Sequence, residues 1–185
     1  MKSLSHLNHT VLSCVQPKTL DRFFEIRQNE EVVATLAFES KFGTLATAIT
    51  ADGTWTFKRV GFLNPHITVR CSAKEEDLAV YEPRLLGGGV LSFPHGLTMK
   101  WKSTGFWGNS WSFVLSDENV LVGFKSGLEH GKLADIFKTQ ATIDINPIPY
   151  VKKYLTLLAA LGMYLILMEH EESASVATMT SSAVS

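Results

Sequence analysis

Two cysteines, Cys14 and Cys71, are all that 185 residues supply, and they stand far apart, which excludes a disulfide-stapled scaffold and suits reduced thiols. No sign of charge prevails, because 17 Lys and Arg are set against 18 Asp and Glu for a formal net charge of -1. No global field therefore draws nucleic acid or an anionic surface, and neither nucleic acid nor a cofactor is expected as a partner. Only local patches are left to attract charge. The opening Met1-Lys2-Ser3-Leu4-Ser5-His6-Leu7-Asn8-His9 holds no apolar core long enough for a secretory signal, so the expectation is a cytoplasmic protein. The sequon Asn8-His9-Thr10 then never meets its glycosylating enzyme.

Between Leu20 and Asn146 there are short runs rich in Val, Ile, Thr, Phe and Trp, separated by turn residues. The alternation is plainest where Trp55 and Phe57 face Thr54, Thr56 and Lys58, where Met99 and Trp101 face Thr98, Lys100 and Lys102, and where Trp111 and Phe113 face Ser112. One face is apolar and the other polar. Asp52-Gly53 and Pro94-His95-Gly96 mark hairpin turns. Twelve such runs are counted, at residues 23–27, 32–38, 43–50, 54–59, 67–70, 78–81, 90–93, 97–102, 111–115, 120–124, 135–138 and 141–145. Their spacing predicts a barrel or sandwich of antiparallel strands.

After Asn146-Pro147-Ile148-Pro149 comes a stretch of different character, the uncharged YLTLLAALGMYLILM from Tyr154 to Met168. Leu, Ala and Met dominate it and prolines precede it, so it is read as helix. Being apolar on every side, it belongs in a large core or in a bilayer. Fifteen residues span only about 22 Å against roughly 30 Å of hydrocarbon, although Lys152 and Lys153 could snorkel to extend it. A sheet of about a dozen strands closes around a hole too wide for its own side chains to fill, which a central helix would plug. The fold expected is thus mainly β, a closed antiparallel barrel around a hydrophobic C-terminal helix, forming one domain over residues 1–172. Residues 173–185 are expected to form a disordered tail.

Catalytic chemistry finds little support. Gly87-Gly88-Gly89 lacks the spacing of a phosphate loop and reads as a turn or bulge. Gly108-Asn109-Ser110-Trp111-Ser112 lacks the second glycine of a nucleophile elbow. His6, His9 and Cys14 want a fourth metal ligand and lie in a segment that reads as frayed. His66, His95 and His130 stand beside turn residues, as do Asp52, Asp77 and Asp117-Glu118. Trp55, Trp101 and Trp111 fall on the apolar face, while Trp107 sits in a loop.

The run from Gly53 to Cys71, GTWTFKRVGFLNPHITVRC, then LAVYEPRLLGGGVLSFPHGLTMKWKSTGFWGNSWSF and the late apolar helix resemble the tubby-like C-terminal superfamily of tubby proteins, phospholipid scramblases and plant LURP-one-related proteins. The chain looks most like uncharacterised bacterial members. The resemblance covers about residues 20–168 and implies a twelve-stranded barrel around a central helix, with no invariant catalytic signature. It implies a non-enzymatic binding module whose partner is membrane phospholipid or a protein, peripheral to the inner membrane. Lys58, Arg59, Arg70, Lys100 and Lys102 are the candidate lipid-headgroup contacts. Two other expectations stand beside this one: a tail-anchored protein spanning the bilayer with Tyr154 to Met168, and a ligand carrier or enzyme with a pocket at a barrel mouth.

Overall fold

The structure is a computed structural model, and it describes residues 1, 9–18, 21–72, 74, 76–85, 87–104, 109–115, 119–126 and 139–182. The alternating segments form twelve strands: β1 (Thr10–Val15), β2 (Phe23–Gln28), β3 (Glu31–Phe38), β4 (Ala46–Thr50), β5 (Gly53–Val60), β6 (His66–Cys71), β7 (Asp77–Pro83), β8 (Gly89–Ser92), β9 (Thr98–Ser103), β10 (Ser110–Val114), β11 (Val120–Ser126) and β12 (Thr139–Ile145). Every strand pairs antiparallel with its chain neighbours, and β1 pairs with β12 as well as with β2, so the sheet closes and leaves no edge.

The closing strand β1 comes from the segment that the sequence reads as frayed. It places Leu12 and Cys14 in the core and aligns Leu12 with Ile143 and Cys14 with Ala141. The run expected at 135–138 lies outside the described residues, as do His6, Trp107, Asp117, Glu118 and His130. Asn29, at the β2–β3 turn, adopts a left-handed φ of 54°, a conformation that asparagine tolerates.

A 3-10 turn, Pro149–Tyr154, leads into one helix, α1 (Leu155–Ser182). From Leu155 to Met168 it runs inside the barrel, and Leu155, Leu158, Leu161 and Tyr164 are 0% exposed. Odd-to-even hairpins and even-to-odd hairpins fall at opposite barrel ends. Thr156 at the start of the helix donates to Asp52 Oδ2 in the β4–β5 turn at 2.6 Å, and the Tyr154 hydroxyl lies 3.4 Å from His95 Nε2 in the β8–β9 turn. At the other end Tyr164 donates to the Thr44 carbonyl in the β3–β4 loop at 2.7 Å. The helix therefore goes in at the end holding the even-to-odd turns, the proximal end, and comes out at the distal end.

Two features of α1 differ from the sequence reading. Its helical backbone continues to Ser182, past the Glu172 boundary, because no Gly or Pro follows Gly162 and continuation costs little per residue. The helical segment Pro149–Ser173 is 25 residues long and contains an 18-residue window of mean hydropathy 1.5, enough by length and composition to cross a bilayer, so length does not decide its surroundings. Enclosure does: 83% of the apolar window lies inside the protein.

Burial also sets the alkaline limit of stability. It pushes the Cys14 thiol from 9.0 up to about 12 and the Tyr164 phenol from 10.0 up to about 12. Between those bounds the unfolded chain has lost protons that the native state keeps, so stability falls as pH rises. Denaturant melts from pH 8 to 11.5 are expected to show this decline, shallower in Cys14→Ala; an unchanged slope in that variant would contradict the assignment.

Candidate functional site

The distal mouth collects the side chains that the core does not consume. Two arginines hold the emerging helix there. Arg22, between β1 and β2, is only 15% exposed; its Nη2 lies 2.7 Å from both Glu171 carboxylate oxygens, while Nη1 donates to the Ser40 and Gly43 carbonyls at 2.8 and 2.7 Å. Its guanidinium also lies 3.8 Å from the centre of the Phe38 ring, which stacks on Tyr164. Arg59, next in the inward alternation after Trp55 and Phe57, pairs with Glu172. These contacts join strand ends to the helix through fixed, charge-assisted bonds.

Beside them a cleft of about 210 Å³ opens between β6, β7, β9 and α1. Ile67, Trp101, Trp111, Leu165 and Met168 give it an apolar floor, and Arg59, His66, Arg84, Glu169 and Glu172 form its rim. The indoles of Trp101 and Trp111 are parallel, 5.5 Å between centroids, an offset stack favoured by their quadrupoles. Burial raises the Glu169 carboxyl above its ordinary range. Burial first, and then the charge of Glu169, raise the Tyr81 phenol.

A second cleft of about 310 Å³ shares Arg84, Gly87, Trp101 and Trp111 with the first and adds Lys100, Lys102 and Ser103. Gly88 permits this approach, having φ +70° and its Cβ position against the Trp101 carbonyl. The triple glycine is thus a hairpin device, as read from the sequence.

The five candidate cations do not converge. Lys58 and Arg70 are exposed on adjacent strands β5 and β6, in register with Thr68 and Thr56, and Arg70 is paired with Asp77 at 2.6 Å. Lys100 and Lys102 stand on β9, with β7 and β8 intervening. Arg59 turns into the mouth. Sequence reading passed over Arg22, Arg84 and Glu169, since only the closed topology brings their segments to one end. Trp55, Trp101 and Trp111 are buried as expected. His9 pairs with Asp144 at 2.8 Å, and among the described residues no group of three or more His, Cys, Asp or Glu could hold a metal ion.

The distal end has a further property. Phe42 in the β3–β4 loop, Phe62 and Leu63 in the β5–β6 loop and Leu85 in the β7–β8 loop are each at least 92% exposed. Lys41 precedes Phe42 and Arg84 precedes Leu85. The proximal turns carry Gln28-Asn29-Glu30, Asp52, and Lys74 with Glu76, and Tyr150 at the helix entry is the large apolar side chain exposed there, at 64%. Set against family models, curated proteins and solved structures, the chain matches none.

Proposed function

We propose that this protein is a non-enzymatic binding module of tubby-like architecture, bacterial and cytoplasmic, that docks on an anionic membrane surface through its distal loops. The observation that carries this reading is the exposure of Phe42, Phe62, Leu63 and Leu85 on three successive loops of one barrel end. Single exposed apolar residues need no explanation, whereas several on one end form a surface suited to an apolar or interfacial partner. Each such side chain gains up to about 1.5–3 kcal/mol on full burial, and each neighbouring cation about 1 kcal/mol beside an anionic leaflet. Lys41 and Arg84 occupy the flanking positions in sequence, and Lys102 lies near the same end of β9. The twelve-stranded barrel and its central helix agree with the resemblance to the tubby-like superfamily.

Vesicle flotation tests the reading. The full chain is expected to float with phosphatidylcholine vesicles containing phosphatidylglycerol, less at high salt, and to be released by carbonate, unlike a tail-anchored protein. Phe62→Asp combined with Leu63→Asp should lower the bound fraction about tenfold or more, given about 1.5–3 kcal/mol for each lost side chain, with an unchanged melting temperature. Absence of flotation with every anionic vesicle, or full retention by the double variant, would overturn it.

A further inference from the structure

Beside the docking loops lie two clefts that share Arg84, Gly87, Trp101 and Trp111, one apolar and facing the barrel interior, the other cationic and reaching the face of β9 that carries Lys100 and Lys102. The inner compartment is walled by the Trp101–Trp111 stack, with Leu165 and Met168 from the helix. Stacked indoles and a thioether accept either a flat ring or a short alkyl chain. Among the described residues the outer compartment is lined by Arg84, Lys100 and Lys102 and by no carboxylate. Arg84 and Lys100 make no ion pair among the described residues, whereas the acids of the mouth rim stand across the inner cleft, Glu172 already held by Arg59 and Glu169 against Tyr81. Positive charge at one end and apolar surface at the other match one chemical class.

We propose that this compound cleft binds an amphipathic anion, a short acyl or aryl body carrying a carboxylate or phosphate head, with the body against Trp101 and Trp111 and the head between Arg84 and Lys100. The inner volume of about 210 Å³ suits a body of roughly eight carbons, smaller than the ligands that fill cavities of about 300–1,000 Å³. The site deepens the membrane reading without depending on its truth, because a free anion binds with no vesicle present. A lipid head and a soluble metabolite share this chemistry.

Octanoate and 2-naphthoate, titrated into the full chain without lipid, are expected to quench tryptophan fluorescence saturably, with octanol at least tenfold weaker. Arg84→Gln with Lys100→Gln should weaken octanoate about tenfold or more, since both charge-assisted hydrogen bonds to the head are lost, while far-ultraviolet dichroism stays unchanged. Phe62→Asp with Leu63→Asp should leave octanoate binding intact, so that failure of membrane docking and failure of this site are read separately. Release of vesicle-bound protein by octanoate would assign the head to a lipid, and its absence to a soluble anion. Octanol binding as tightly as octanoate, a double glutamine variant within twofold of the parent, or no quenching by either anion would overturn the proposal.

Discussion

A chain ending at Tyr154 is expected to lose cooperative unfolding altogether and to accumulate as insoluble or molten protein. The reason is the size of what α1 buries. Leu155, Leu157, Leu158, Leu161, Met163, Tyr164, Leu165 and Ile166 are all less than a tenth exposed, and at about 1.5–3 kcal/mol each they contribute at most about 12–24 kcal/mol. That equals or exceeds the whole net stability of an ordinary domain, about 5–15 kcal/mol. The strands lose too, because Phe57 and Phe38 pack on Tyr164 and Phe124 lies against Gly162, so removing the helix opens an apolar lumen to water. Thermal melts and size-exclusion chromatography of the truncated chain check this. A soluble, monomeric truncation with a sharp melt would mean that the barrel stands without its plug.

The helix and most strands were legible because their signals are local. YLTLLAALGMYLILM has no polar face whatever its pitch, and Trp55, Phe57, Met99 and Trp101 keep the period of two that a half-buried strand requires. The closing strand was not legible. Thr10–Val15 alternates through Leu12 and Cys14, but Val11 and Val15 on the outward face and the short length give little contrast, and the strand that closes the barrel against it, β12, is about 130 residues away. Strand identity there is set by pairing, which propensity does not encode. The mouth was illegible for a related reason: Arg22, Arg59, Arg84 and Glu169 are scattered along the chain, and only alternating hairpins bring them to one end. The apolar loop tips were present in the sequence as Lys41-Phe42 and Gly61-Phe62-Leu63, yet without topology nothing showed that they share an end.

Gly162→Ala is the second substitution expected to have a large effect, and its sign is opposite to the intrinsic one. In an exposed helix interior the change would stabilise by about 0.5–1 kcal/mol. Here a Cβ at Gly162 would lie well inside 3.0 Å of the Phe124 ring, so the ring would have to shift against its own aromatic neighbours. Phe124 meets Trp101 at 5.3 Å between centroids and Phe113 at 6.3 Å, both edge-on, and Trp101 is itself stacked on Trp111. Overpacking of a closed core costs about 1–3 kcal/mol, so the expected result is a net loss and a fall in melting temperature of several degrees at about 2–4 °C per kcal/mol. A larger residue such as Leu should prevent folding. Phe124→Leu alone also destabilises by leaving a void, but combined with Gly162→Ala it should recover part of the loss, because the freed volume receives the new methyl group; a coupling of about 0.5–3 kcal/mol is the usual range for residues in contact. Since Phe124 is continuous with the tryptophan wall of the mouth, the same displacement should weaken octanoate binding in the single variant and restore it in the double. A Gly162→Ala protein that melts higher than the parent would show that α1 does not press against β11, and with that the close fit between plug and barrel would fail.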